Sequence, residues 1–224
     1  MPQFNLPWPT FPIAGAALNS DLAWASRIVL APHFPYGPAG SIDLARLTAW
    51  TNNSAVTRVP TPYEVGAGFA GTTQFLSTTA ILPNPRTAGF TVLALISPTS
   101  STPAAQRAWF GLGNSVDNNS ILYLFQGTGG HASLIFRDSV GGIANLSATQ
   151  QMLAGQWYAV ACWTNGTNVH AVRIRNVTYT DTTNVNGAFT APDRTAIGAL
   201  NRDTPAVFFD GRIAQIIGIT GLLT

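Results

Sequence analysis

Gly155-Gln-Trp-Tyr-Ala-Val-Ala-Cys-Trp-Thr-Asn-Gly-Thr-Asn-Val-His-Ala-Val-Arg-Ile-Arg175 decides the fold. Two runs rich in aromatic and β-branched residues flank Asn165-Gly166, a pair that suits a tight hairpin because both residues accept positive φ cheaply. Trp157 to Trp163 is apolar on both faces, which predicts a central strand covered on two sides. Val169 to Arg175 puts His170, Val172 and Ile174 on one face; Val169, Ala171, Arg173 and Arg175 fall on the other, so one side ends wet. That is a strand pair from the middle of a β-sandwich.

The rest of the chain repeats this grammar. From Phe90 it reads as a meander: Phe90 to Ile96, Ala108 to Gly111, Ile121 to Gln126 and Ala132 to Arg137. Gly- and Asn-rich turns at 113–119, 127–130 and 138–142 separate the runs, and regular short strands with turn signals mark a sandwich or barrel. Ser147-Ala-Thr-Gln150 has the spacing of a capping box opening one helical turn that Gly155 stops. Ala188 to Leu200 reads as loop then strand. Ala206 to Asp210, a turn at Asp210-Gly211 and Arg212 to Ile219 close the sheet.

The 224 residues fit one all-β domain, or a domain with an arm. Residues 1–27 read as that arm: Pro2, Pro7, Pro9 and Pro12 interleave with Phe4, Leu6, Trp8 and Phe11, which disfavours helix and central strand and leaves an extended segment. Those apolar side chains either fold back on their own domain or dock on a neighbouring subunit. Asn19 to Val29 could open a short helix capped by Asn19 or Ser20, and residues 30–65 are loop-rich. The body is then 28–224.

Composition excludes several classes. A hydrophobic content of 46% against 9% charged residues lies far from the disordered range. Mean hydropathy is +0.19, yet no apolar run approaches the length that spans a membrane, so no insertion is expected. The N-terminus lacks the basic start and apolar core of a signal peptide. Cys162 is the one cysteine, and in a core strand it is an inert buried thiol. All 11 basic residues are arginine and Glu64 is the one glutamate, a bias that fits a GC-rich genome. The arginines are spread along the chain, so nucleic acid is not an expected partner.

Gly66-Ala-Gly68-Phe-Ala-Gly71 matches the dinucleotide-binding glycine pattern, but a strand-like segment follows it where a helix is required. Glycines framing turns between short strands are the better account.

The order of signals carries a resemblance: the glycine-framed Phe69 to Phe75, then Phe90-Thr-Val-Leu-Ala-Leu-Ile96, Gly155-Gln-Trp157, the Asn-Gly hairpin, Ile197-Gly198, and Phe208-Phe-Asp210-Gly211-Arg-Ile. From about residue 28 to 224 the chain resembles the laminin-G-like branch of the concanavalin A-like lectin/glucanase superfamily. The resemblance implies an all-β, two-sheet antiparallel jelly-roll sandwich, here with an extended N-terminal arm. Domains of this type occur in secreted adhesion proteins and in bacteriophage virion proteins. The missing signal peptide, the GC-rich bias and the Pro/aromatic arm favour the second setting.

The superfamily's enzymes use two neighbouring glutamates, and retaining glycosidases need carboxyl groups roughly 5–5.5 Å apart. Glu64 stands alone, and Asp43 and Asp117 lie in unrelated segments, so no enzyme is expected. His33, His131 and His170 show no zinc-ligand spacing; His170 reads as a packed or hydrogen-bonded histidine. Asp117-Asn118-Asn119-Ser120 offers the oxygen ligands of a rim calcium site, or simply a turn. Trp50, Tyr63, Trp109 and Tyr123, with Asn118 and Asn119, are the candidates for touching a glycan. The leading expectation is a virion structural protein, assembled in the host cytoplasm and decorating capsid or tail. Phe4, Leu6, Trp8 and Phe11 would anchor it to other virion proteins and to copies of itself. The alternative is a lectin-like module for host-surface polysaccharide.

Overall fold

The computed structural model describes residues 27–30, 32–33, 42–43, 48–62, 64–79 and 82–222. The strands are β1 (Ile28–Leu30), β2 (Pro32–His33), β3 (Ile42–Asp43), β4 (Thr48–Ala49), β5 (Thr51–Asn53), β6 (Thr57–Thr61), β7 (Glu64–Ala70), β8 (Phe75–Thr78) and β9 (Phe90–Pro98). They continue as β10 (Arg107–Gly113), β11 (Ile121–Gln126), β12 (His131–Arg137), β13 (Ile143–Gln151), β14 (Tyr158–Thr164), β15 (His170–Ile174), β16 (Val177–Asp181), β17 (Arg194–Ile197) and β18 (Asp210–Thr220).

Two antiparallel sheets stack face to face. One has the order β16-β15-β14-β9-β18-β7-β6, with β1 joining β18; the other runs β13-β12-β11-β10-β17-β8-β5. A small β2-β3-β4 sheet stands beside them. This is the expected jelly-roll sandwich. Between the sheets, Phe90, Val92, Ala94 and Ile96 of β9 face Phe110, Leu112, Leu122, Leu124 and Phe136 in one apolar core. Phe90 stacks on Phe110 across the gap, ring centroids 6.1 Å apart.

The deciding hairpin forms, with two differences. Its loop runs from Asn165 to Val169, since the last pair is Thr164 with His170. Gly166 alone takes positive φ, 71°, because the turn is built by side chains instead of by two left-handed residues. The Asn165 Oδ1 accepts from the N–H groups of Thr167, Asn168 and Val169, each at 2.9 Å. Second, β14 is central in its sheet but covered on one face only. Tyr158, Val160, Cys162 and Thr164 are buried, Ala159 is exposed, and Ala161 and Trp163 are half-buried. An apolar outer row read as two-sided cover is instead a row of small residues ending in one tryptophan. β15 follows expectation, with His170, Val172 and Ile174 buried and Arg173 exposed.

Other segments depart from the sequence reading for local reasons. Ser147–Gln150 is strand, part of β13, since pairing with β12 outweighs a capping pattern. The one helix among the described residues is α1 (Pro85–Ala88), capped by the Asn84 side chain, which accepts from the Arg86 N–H. Ile28 and Val29 are strand because Ile28 pairs with Ile219; residues 19–26 of the Asn19–Val29 helix reading lie outside the described residues. The loop-rich 30–65 region holds β2 to β6, with Pro60 tolerated on the edge strand β6. Asp210-Gly211 is not a turn but the opening pair of β18, and the expected strand before it is reduced to isolated bridges at Ala206 and Phe208.

Gly66 and Gly68 also lie inside a strand, β7, and do not frame turns. A Cβ at Gly66 would collide with the Ile213 carbonyl oxygen, just where the register of β18 against β9 shifts between Ile213 and Gln215. Only Gly71, at φ 73°, serves a turn. The glycine pattern therefore records close strand packing and no nucleotide loop.

Among the described residues, no helix is long and apolar enough to cross a membrane.

Candidate functional site

Phe4, Leu6, Trp8, Phe11 and Tyr63 lie outside the described residues. Trp50 and Trp109 do not sit on the surface. They are 3% and 0% exposed and belong to the main core, so they pack the sandwich and reach no ligand. Trp109 meets Phe209 edge-on, at 6.4 Å and 80°.

The Asp117–Ser120 segment is a self-satisfied turn. Asp117 Oδ1 accepts from the Asn119 N–H at 2.8 Å, and Oδ2 accepts from the hydroxyls of Ser120 and Thr190. Burial works against the charge, but these hydrogen bonds outweigh it and hold the carboxyl below the usual carboxylate range. Asn118 accepts from the Asp203 N–H and Asn119 donates to the Ser139 carbonyl, so both amides tie loops together. Both Asp117 oxygens already face donors, and among the described residues no three His, Cys, Asp or Glu cluster. This arrangement does not fit a calcium shell.

His170 and Cys162 are interior groups. His170 Nδ1 lies 2.9 Å from Thr164 Oγ1 and Nε2 lies 3.2 Å from the Thr183 carbonyl, while the ring stacks on Phe136. Burial pushes the Cys162 thiol far up, so no reactive thiolate forms.

A surface with different chemistry lies on the outer face of the seven-stranded sheet. Alternation sends Leu122, Leu124, Leu134 and Phe136 inward and leaves Ile121, Tyr123, Phe125 and Ile135 on the other side. There they form a second apolar cluster with Ala108 and Leu200, with Val207 packed against it. The segment 199–202 crosses this face so closely that a Cβ at Gly111 would stand 2.7 Å from the Ala199 oxygen. Tyr123 and Phe125 rings pack at 4.9 Å. Burial raises the Tyr123 phenol, partly offset by Arg202 and Arg137, and the hydroxyl donates to Gln106 Oε1 at 3.1 Å.

Beside this cluster the face opens. Cross-strand pairs set Arg137 beside Ile143, Ile135 beside Asn145 and Ser133 beside Ser147. Ile143, Asn145 and Ser147 are exposed, and Ser147 Oγ lies 2.8 Å from Ser133 Oγ. The result is a hydroxyl- and amide-lined strip flanked by Arg137 and the exposed Ile143, while Tyr123 and Phe125, at 6% and 3% exposure, lie buried in the neighbouring cluster. Such a surface offers hydrogen bonds in both directions and an apolar edge, the needs of a sugar ring. Tyr123 stood out in the sequence as a glycan contact, but it is buried in the outer apolar cluster and, like Trp50 and Trp109, packs the fold. The strip did not stand out, although period-two spacing of Asn145, Ser147, Arg137 and Ser133 would have placed them on one face.

The laminin-G type 3 family profile, described as the concanavalin A-like lectin/glucanases superfamily, matches residues 70–217, and the chain belongs to that family. No curated protein matches it. Among solved structures it resembles domain 4 of AbnA, a GH43 extracellular arabinanase from Geobacillus stearothermophilus, in complex with arabinotriose. The identity is 19%, the TM-score 0.66, and the match covers 88% of this chain and 94% of that one. It also resembles the binding domain of botulinum neurotoxin DC in complex with SialylT, at 12% identity and TM-score 0.67 over 88% of this chain. There it spans 49% of that chain's length, about half. A third likeness is the native heptameric SAP-like pentraxin from Limulus polyphemus, at 19% identity and TM-score 0.54, covering 70% of this chain and 76% of that one. The fold is thus one on which carbohydrate-binding domains are built.

Proposed function

We propose that the chain is a non-catalytic carbohydrate-recognition module that holds a polysaccharide along the outer face of the seven-stranded sheet. The observation that carries this reading is the exposed row of Ile143, Asn145 and Ser147 beside Arg137. Two fold relatives solved with arabinotriose and SialylT support it at the level of fold. A non-enzymatic role is supported by the single glutamate of the sequence and by Asp117 and Asp193, which are spent on Ser120, Thr190 and Ser115. A glycan array with the full chain is the test. Binding that falls at least tenfold in Asn145→Ala and Arg137→Ala sustains the reading; binding that survives both variants removes it from this face.

A second reading concerns the setting. The alternation of Pro2, Pro7, Pro9 and Pro12 with Phe4, Leu6, Trp8 and Phe11 favours a segment that anchors the module to neighbouring subunits. We propose a virion, capsid or tail, as that assembly, with host polysaccharide as the module's target. Burying one such side chain contributes roughly 1.5–3 kcal/mol before ordering costs, and repeated copies add avidity. Size measurement of the full chain against a Phe4→Ala/Trp8→Ala variant tests the anchor. A monomer in both cases at high concentration would remove the self-association part.

A further inference from the structure

On the opposite sheet, a cleft of about 250 Å³ opens where β6, β7 and β18 run side by side. Thr57, Gly68 and Arg212 form one cross-strand row on the side away from the core, while Ala67 and Phe69 turn inward. Gly68 is buried beneath the neighbouring strand's side chains: a Cβ there would stand 2.7 and 2.8 Å from Val59 Cγ1 and Thr57 Oγ1, which fill that space. Val59 and Thr57 form one wall, Gln74, Thr99 and Gly211 the rest.

The polar groups of this cleft differ in how they are used. Gln74 is committed, accepting from the Ala70 N–H at 2.7 Å and donating to the Ala55 carbonyl at 3.1 Å. Thr57 reaches the Gly68 carbonyl at 3.4 Å. Arg212 is exposed and engages no partner among the described residues. Asp210 is two residues away on the same face of β18.

We infer that this cleft is a second ligand site, one that takes the carboxylate of an acidic sugar unit on Arg212 while the ring rests against Val59 and Thr57. A planar guanidinium presents paired donors that match a carboxylate. The volume falls below the 300–1,000 Å³ of sites that enclose drug-sized ligands, which sets the occupant at one sugar residue of a longer chain. The aliphatic Val59, half-buried on this wall, suits the C–H side of a pyranose, and the exposed Thr57 offers a hydroxyl beside it. This cleft lies on the other sheet from the Asn145 strip, so the two readings stand or fall separately.

The experiment is an NMR shift titration of the full chain with galacturonate, galactose and inorganic phosphate. Galacturonate is expected to bind at least tenfold more tightly than galactose, with shifts centred on Gly68, Gly211 and Arg212, and to weaken with added salt. Arg212→Gln is expected to erase the difference and Arg212→Lys to keep part of it; the side chain is exposed, so both variants fold. Equal affinity for the acid and the neutral sugar would overturn the site. So would unchanged binding in Arg212→Gln, or phosphate competing as well as galacturonate. Shifts confined to Arg137, Asn145 and Ser147 would also overturn it while sustaining the other face.

Discussion

Asp138 shows how one side chain organises a whole end of the sandwich. It is 1% exposed, and its carboxylate accepts from the N–H groups of Val140 and Gly142 with one oxygen and of Gly187 with the other. The tip of the β12–β13 turn is thereby pinned to the 187 loop. Asp138→Ala would leave those part-buried donors to find water instead, a loss of about 1–3 kcal/mol in a denaturant titration. His170 supplies a pH signature. Burial lowers its affinity for a proton, only partly offset by the Thr183 carbonyl, Asp181 and the Thr167 backbone. The unfolded chain then binds protons that the folded chain refuses, so stability is complete above the ordinary histidine value near 6.5 and declines as pH drops through it. Urea midpoints between pH 7 and 5 should fall for the parent and show a smaller slope for His170→Gln. An equal slope in both would assign the acid sensitivity elsewhere. Histidine and cysteine roles were legible in the sequence because a lone polar group on an apolar strand has few fates. Trp50 and Trp109 were not: an aromatic near a loop reads alike whether it faces solvent or core, and only sheet pairing decides.

At the scale of elements, the hairpin loop and α1 act as one unit. Arg86 Nη1 donates to the carbonyls of Gly166 and Val185, at 2.9 and 2.7 Å. A Cβ at Gly166 would run into the Arg86 backbone, so this glycine answers both a φ of 71° and a steric limit. Gly166→Ala should therefore cost more than Asn165→Ala, for which about 1–2 kcal/mol follows from releasing the turn's N–H groups to water. Thermal midpoints of the two variants check the order; a reversal would mean that the side-chain cap, not the close approach, sets the loop. Strand existence came through clearly from the sequence, since Phe90 to Ile96 and Ile121 to Gln126 announce themselves by composition. Three other features were hidden. The close approach of β18 to Gly66 depends on a partner strand about 150 residues away, Ser147–Gln150 carries a local helix signal that β12 overrides, and the Asn145 strip exists only once β13 pairs with β12.

For the molecule as a whole, the question is where the folded body begins. The sequence reading places that boundary at residue 28, where the family resemblance begins after the Pro/aromatic segment, and β1 gives it a physical test. Ile28, 8% exposed, pairs with Ile219, and Leu30 pairs with Gly218, extending the sheet along the end of β18 that β7 does not reach. Arg27 adds a clasp, its guanidinium donating to the carbonyls of Thr220 and Leu222 at 2.9 and 3.0 Å. Two truncated chains, one starting at Arg27 and one at residue 31, then differ by a defined set of contacts. The shorter chain loses the Ile28 burial, roughly 1.5–3 kcal/mol, together with the pairing that covers β18. Denaturant unfolding should place it at least 2 kcal/mol below the longer chain, with a smaller dependence on denaturant because less surface is buried to begin with. If the two chains unfold at the same midpoint, β1 contributes nothing to the sandwich, and the body begins further along, at the β5–β8 pairing of Thr51 with Ser77.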